Sequence, residues 1–231
     1  RFSWRGQHLD TVRHFYSVES ILKLLDLMSL FKLNKFHWHG TDDEAFRFKL
    51  DDDYEIATST SARGDGQLVP PVFGSGPFPS GGCYDLVQIK RVIDRASENY
   101  IEVMPEFDLP GHNMSLVKLY PSMRDPEDKS YEVSVQGYTE NTINPAMPDT
   151  LPVLENIIDD LCRVFPGEYI HLGADEIAPD AWTKSPAIDI LKSENNLKNS
   201  KDVASWFINK LSKRVELNNK KTAAWQEAED G

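Results

Sequence analysis

The chain has 231 residues, room for one large domain or two small ones, and its 40% apolar and 27% charged residues are ordinary for a globular protein. Its 37 acidic residues outnumber 25 basic ones, and no Lys/Arg cluster offsets the net charge of −12, which argues against a nucleic-acid or anionic-membrane partner. No apolar run approaches the ~18–20 residues of a membrane helix, and Arg1-Phe2-Ser3-Trp4-Arg5 does not read as a signal peptide, which leaves the compartment open.

Short β-type runs alternate with helical patterns along the chain. Trp4–Asp10 reads as a first strand. Ser17 then caps a helix with Val18, Ile21, Leu22, Leu25 and Met28 at helical spacing. Lys35–His39 is a second strand, and the Gly-, Pro- and Asp-rich stretch from Gly40 to Gly82 is expected to be irregular surface. Asp85 and Gln88 form a capping box for a helix carrying Leu86, Ile89 and Ile93. Tyr100–Asp108 is a third strand, and a second long loop follows it. Leu151, Leu154, Ile157, Ile158 and Leu161 mark a third helix, Tyr169–Asp175 a fourth strand, Val203, Phe207, Leu211 and Val215 a fourth helix, and Lys221–Gln226 a fifth strand. Cys83 and Cys162 show no motif spacing and read as two separate thiols, Cys162 on a helix.

Alternating βα units imply a parallel sheet covered by helices, either doubly wound or closed as a (β/α)8 TIM barrel. No Gly-x-Gly-x-x-Gly follows the first strand. The polar residues decide for the barrel: Asp10 and Arg13, His39 and Asp42, Asp108 and His112, Asp175 and Glu176, and Trp225 all fall at or just past a strand's C-terminal end. In a barrel those ends share one rim, where active sites are built.

The sharpest motif is His171-Leu-Gly-Ala-Asp-Glu176, in which two adjacent carboxylates meet at a strand end. Like charges in proximity raise one pKa, leaving a protonated acid beside an ionised partner, the division of labour glycoside hydrolysis needs. The same pair could equally decorate a helix N-terminus. In Glu106-Phe-Asp-Leu-Pro-Gly-His112, Glu106 and Asp108 share a face and Pro-Gly makes a turn that can bring His112 back over the rim, although a lone histidine after a strand is often structural. His37 and His39 in Phe36-His-Trp-His-Gly-Thr-Asp-Asp43 share a face and could ligate a metal, and Asp42 and Asp43 could be loop acids. Arg13 suits a salt bridge or a sugar contact, and Trp225 suits core packing or a sugar-stacking wall.

Together, Arg5-Gly-Gln-His-Leu-Asp-Thr-Val-Arg-His-Phe15, Lys32-Leu-Asn-Lys-Phe-His-Trp-His-Gly-Thr-Asp-Asp43, Pro105-Glu-Phe-Asp-Leu-Pro-Gly-His112 and His171-Leu-Gly-Ala-Asp-Glu176 resemble glycoside hydrolase family 20, the β-N-acetylhexosaminidases. The resemblance implies a retaining, exo-acting enzyme that releases terminal β-linked N-acetylglucosamine or N-acetylgalactosamine from glycans or chitooligosaccharides. It needs no cofactor, and the substrate's own acetamido group is the nucleophile. It also implies that Glu176 is the acid and then the base, that Asp175 orients the acetamido group and stabilises the cationic intermediate, and that Asp42 and His112 form a relay to Glu176. Arg13 would bind the outer hydroxyls and Trp225 would wall the acetamido pocket, with His39 and Asp108 among the substrate-binding positions.

Ala174 stands where many members have a second glycine, and Asp43-Glu-Ala-Phe-Arg47 departs from the commoner glutamine- and tryptophan-containing version. The family's later tyrosine, acid and tryptophan residues have no counterpart up to Gly231. Residues 1–231 are therefore expected to be one catalytic barrel domain that lacks its last strands and any N-terminal accessory domain, and to be inactive alone. Two other functional readings stay open: a metal-dependent barrel hydrolase using His37 and His39, and a non-catalytic glycan-binding protein.

Overall fold

The structure is a computed structural model and describes residues 2–51, 54–70 and 78–230. In chain order its first half runs β1 (Gly6–Asp10), α1 (Val18–Leu30), β2 (Lys35–His39), β3 (Thr41–Asp42), β4 (Ala45–Phe46), α2 (Glu55–Thr60), β5 (Ala62–Arg63), β6 (Ser80–Gly81), α3 (Leu86–Glu98) and β7 (Glu102–Leu109). The second half runs α4 (Met114–Leu119), α5 (Thr150–Val164), β8 (Tyr169–Gly173), α6 (Pro186–Asn195), α7 (Ser200–Leu217) and β9 (Lys221–Ala223). None of the described helices is long and apolar enough to cross a membrane.

β1, β2, β7, β8 and β9 form one sheet in that order, every neighbouring pair parallel. A doubly wound sheet would reverse its strand order at a switch point. Here the order follows the chain throughout, and one face carries the apolar residues Phe36, Trp38, Val103, Phe107, Ile170 and Leu172. These share a single core with Ile21 and Leu25 of α1, Ile89 and Val92 of α3, Leu154 and Ile158 of α5, and Phe207 and Leu211 of α7. Helices on one side of a sequentially ordered parallel sheet make an arc of five βα units of a (β/α)8 barrel. Each fully buried aliphatic or aromatic side chain in that layer contributes about 1.5–3 kcal/mol.

The local signals explain why the helices start where they do. Ser17 accepts from the Ser20 amide, Asp85 and Gln88 make both bonds of their capping box, and Asn199 accepts from the Asp202 amide. The helix α6 was not expected, although Ser185 caps it, Pro186 opens it and left-handed Asn196 closes it. Both cysteines are free thiols, Cys162 buried on α5.

The stretch after β2 corrects the expectation of irregular surface. Residues 40–48 are buried, and β3 and β4 pair as a small antiparallel ladder. Phe46, Phe48 and Leu50 join the main core. Arg47 is buried and its guanidinium donates to the carbonyls of Thr11 (3.1 Å), Val12 (2.7 Å), Gly82 (2.8 Å) and Ser61, tying this segment under the end of β1. Composition signalled surface because Gly, Pro and Asp dominate the stretch as a whole, whereas Phe46, Phe48, Leu50, Ile56 and Val69 within it are buried. Asp52, Asp53 and residues 71–77 of that stretch lie outside the described residues.

Candidate active site

Strand register builds the site. Asp10 pairs with His39, His39 with Glu106, Glu106 with His171 and His171 with Ala223, so four polar side chains stand in one row on the face opposite the helices. Glu106 is the hub of that row. Its Oε2 lies 2.7 Å from His39 Nδ1, 2.8 Å from His37 Nε2 and 3.6 Å from His8 Nε2. Its Oε1 accepts the Trp225 indole N–H at 2.8 Å and lies 3.3 Å from His171 Nδ1. Burial alone would favour the neutral acid, but the charge on His39 and the surrounding imidazoles hold Glu106 well below the usual carboxylate range.

His39 carries the charge outward. Its second nitrogen lies 2.8 Å from Asp42 Oδ2, and the two carboxylates outweigh the burial that opposes protonation, so its pKa stands well above the usual histidine value. Both of its ring nitrogens thus face carboxylates, Glu106 on one side and Asp42 on the other. Burial pushes His37 down to about 4 and keeps it neutral despite Glu106.

Asp42 is the second hub. Besides His39 it pairs with Arg13 Nη2 at 2.7 Å, and its Oδ1 lies 3.3 Å from His112 Nδ1. Burial opposes its ionisation, yet His112, His39 and Arg13 hold it far below the usual range. Asp10 accepts the Val12 and Arg13 amides at 2.8 and 3.0 Å, curling the chain so that Arg13 turns back over the rim. Burial works against the Arg13 charge, and Asp42, Asp10 and Glu44 outweigh it. About a third of the Arg13 side chain stays exposed (37%), leaving donors for a ligand.

His112 joins this hub to the rim carboxylates. Its Nε2 lies 3.5 Å from Glu176 Oε2. Burial opposes charging the ring, but Asp42, with Asp43 behind it, outweighs burial and lifts His112 to about 9. Asp43 is itself pushed up to about 7 by burial and by the Asp42 charge, although it accepts the Met114 amide and the Asn141 side chain at 3.0 Å each. The Glu176 side chain is 40% exposed and reaches solvent at the strand end.

β7 carries a bulge between Glu106 and Leu109, so that Leu109 and not Asp108 pairs with Gly173. Asp108 therefore swings over β8, and a Cβ on Gly173 would fall 1.7 Å from its Oδ1. Gly173 also has φ +64°, so both space and backbone require glycine there. Burial, then the charges of Asp175, Glu106 and Asp42, push Asp108 well above the usual range, and it is hydrogen-bonded to Asp175. Burial also raises Asp175. Cationic His112 and the neighbouring Asp108 work against that rise.

His112 (φ +56°), Ala174 (+72°) and Glu176 (+46°) all adopt left-handed backbone at the site. Trp225 packs edge-on to His171 at 4.9 Å and tilted over His37 at 5.2 Å, its indole N–H spent on Glu106. All eight expected residues (Asp42, His112, Asp175, Glu176, Arg13, His39, Asp108 and Trp225) thus gather around one end of the sheet. Sequence reasoning missed Glu106 as a hub, although its place two residues before Asp108 was a signal. It also missed His8, His171 and Gln136, the last a loop residue with no motif. Among the described residues, four groups of three His/Asp/Glu side chains lie close enough to hold an ion, for example His8, His37 and Glu106. In each, at least one member is already committed to a charged partner.

The family model for Glycosyl hydrolase family 20, catalytic domain, matches residues 2–231. The chain is 32% identical to a β-hexosaminidase from Vibrio furnissii, aligning over all of this chain and 38% of that protein. It is also 32% identical to the human β-hexosaminidase subunit beta, over all of this chain and 38% of that protein. Among solved structures it superposes with a TM-score of 0.96 and 33% identity on a GH20 exo-β-N-acetylglucosaminidase from Vibrio harveyi in complex with N-acetylglucosamine. That match covers all of this chain and 36% of the other. A chitobiase from Flavobacterium johnsoniae follows at 0.82 and 29%, over 99% of this chain and 32% of the other. The chain thus spans well under half the length of these relatives.

Proposed function

The chain belongs to glycosyl hydrolase family 20, and we propose that it carries the acid/base side of an exo-acting β-N-acetylhexosaminidase site. That site would release terminal β-linked N-acetylglucosamine or N-acetylgalactosamine from glycans or chitooligosaccharides with retention of configuration. The observation that carries this reading is the line Asp42–His112–Glu176, with Asp175 beside Glu176 on the same rim. One exposed carboxyl backed by a charged imidazole, next to a half-buried one, is what acetamido-assisted hydrolysis asks of a protein.

Glu176 gives its proton to the glycosidic oxygen as the C1–O bond breaks and its electron pair goes to that oxygen. The acetamido carbonyl oxygen of the same sugar attacks C1 from the other face, with the high effective concentration of an intramolecular group. Asp108, protonated, donates to Asp175 and holds it ready to accept the acetamido N–H and to offset the positive charge on the oxazolinium ring. The Glu176 carboxylate left behind is stabilised by cationic His112. It then takes a proton from the water that attacks C1 and reopens the ring. Two displacements at C1 restore the β configuration. Arg13 would meet the outer hydroxyls, Trp225 would form one wall of the acetamido pocket, and His39 would hold Asp42 in place.

The test is turnover by the full-length protein of an aryl β-N-acetylglucosaminide compared with the matching β-glucoside, in the presence of a chelator. The expected result is brisk hydrolysis of the first alone, unaffected by chelation. Equal rates on both sugars would remove the role of the acetamido group, and no turnover of either would leave a glycan-binding protein.

A further inference from the structure

Gln136 sits at the tip of a tight loop that none of the roles above uses. Val133 and Thr139 bridge antiparallel, the Ser134 amide donates to the Tyr138 carbonyl at 2.8 Å, and the Gly137 amide donates to the Ser134 carbonyl at 2.9 Å. Glu132 and Ser134 are buried beneath the loop. The Tyr138 hydroxyl donates to Glu44 at 2.7 Å, and Glu44 lies 3.7 Å from Arg13. From this anchored base the exposed Gln136 side chain donates from Nε2 to Glu176 Oε2 at 3.1 Å. His112 Nε2 faces the same oxygen at 3.5 Å from the opposite, buried side. Among the described residues no hydrogen bond or ion pair reaches Glu176 Oε1.

We propose that Gln136 is a positioning residue for Glu176: it holds Oε2 from the solvent side and so makes Oε1 the oxygen that carries the transferable proton. This rests on the reading of Glu176 as the general acid. A carboxyl group whose one oxygen faces two donors keeps that oxygen as the acceptor and places its proton on the other. In the bond-breaking step the Oε1 proton passes to the glycosidic oxygen, the C1–O electron pair stays with that oxygen, and the negative charge left on Glu176 is shared with Oε2, where the Gln136 amide and His112 receive it. The loss of Gln136 should therefore scale with how much the departing group needs that proton.

Gln136→Met keeps the side-chain length and removes the donor, and Gln136→Ala serves as a second variant with a different packing footprint. The probes are N,N′-diacetylchitobiose, whose leaving sugar must be protonated, and 2,4-dinitrophenyl β-N-acetylglucosaminide, whose leaving group departs as an anion. Both variants should lose about tenfold in kcat/KM on the disaccharide, the scale of one hydrogen bond to a charged group, and less than about twofold on the dinitrophenyl glycoside. Parallel losses on both substrates would mean that the loop matters only for folding or binding, and would overturn the proposal. So would an unchanged rate on the disaccharide. A wild-type protein that hydrolyses neither substrate would remove the functional reading itself, an outcome distinct from wild-type turnover with parallel losses.

Discussion

Replacing Asp42 by Asn tests the coupling on which the site depends. The side chain keeps its shape while three cations lose their shared counter-ion: Arg13 at 2.7 Å, His39 at 2.8 Å and His112 at 3.3 Å. His112 is the most informative of the three, because its pKa stands at about 9 only through Asp42 and, behind it, Asp43, against the pull of burial. Without the Asp42 charge the two largest contributions that raise it are gone, leaving only Asp43 and Asp175 against burial, and the ring falls toward its ordinary 6.5. A fall over that whole range is worth about 3 kcal/mol of lost preference for the imidazolium. Two measurements should move together. In the wild type, kcat/KM on an aryl β-N-acetylglucosaminide should hold through neutral pH and decline as His112 loses its proton near 9, whereas in Asp42→Asn that decline should begin about two units lower. Stability should follow the same group. Its folded pKa is raised, so its contribution is fully present below about 6.5 and is lost as pH rises through about 9. The wild type should therefore lose up to about 3 kcal/mol of unfolding free energy across that window from His112, and the mutant almost none. A mutant whose alkaline limb coincides with that of the wild type, in rate and in denaturant midpoint alike, would refute the coupling.

Glu176→Gln should lower kcat on a natural disaccharide by about 10² to 10⁴, and kcat/KM on an activated aryl substrate far less; near-normal hydrolysis of both would take the acid role from Glu176. Asp175→Asn should slow acetamido-assisted turnover strongly, because the oxazolinium loses its counter-ion, and an unchanged rate would exclude that role. NMR of the first-formed sugar from the wild type should show the β anomer, and initial α product would contradict the two displacements. Gly173→Ala should cost about 2–4 kcal/mol in a urea titration, since its Cβ would meet the Asp108 carboxylate at 1.7 Å and φ is +64°; a midpoint within error of the wild type would mean that Asp108 moves aside freely.

The strands were legible because each is a short β-type run between helical patterns with polar residues at or just past its end, and all five lie where that alternation puts them. Their ends were less so. β8 stops at Gly173, two residues short of expectation, because the chain turns through left-handed Gly173 and Ala174. Ala174 accepts that backbone where the family resemblance expects glycine, at a cost of about 1 kcal/mol. The rim positions could be read from spacing, since a residue at or just past a strand's end points into the barrel mouth whatever the details. What spacing cannot carry is the bulge in β7: a strict period of two puts Asp108 opposite Gly173, and one extra residue puts Leu109 there. Nor can it show that His37 and His39, two positions apart on one strand face, differ in charge, because that depends on how many carboxylates each ring meets in three dimensions. Gln136 was out of reach for a simpler reason, being brought to Glu176 by a loop fold with no periodic signal.

The two faces of the sheet divide the work. The outer face buries the apolar side chains under four helices. The inner face is free to hold charges that would otherwise be costly to bury, and it does so by alternating their sign: Glu106 ionised, His39 protonated, Asp42 ionised, then Arg13 and His112 protonated toward the rim. In this order each buried ion has an opposite neighbour within about 3.5 Å, the condition under which desolvation can be offset. The parallel register is what creates it, because aligning His39 with Glu106 and Asp10 places one polar side chain per strand at the same height. The chain of charges ends on His112, whose Nε2 lies 3.5 Å from Glu176 Oε2 at the open rim. Asp42 is the member the cations share, since it faces Arg13, His39 and His112 at once, so its loss removes the one counter-ion common to all three.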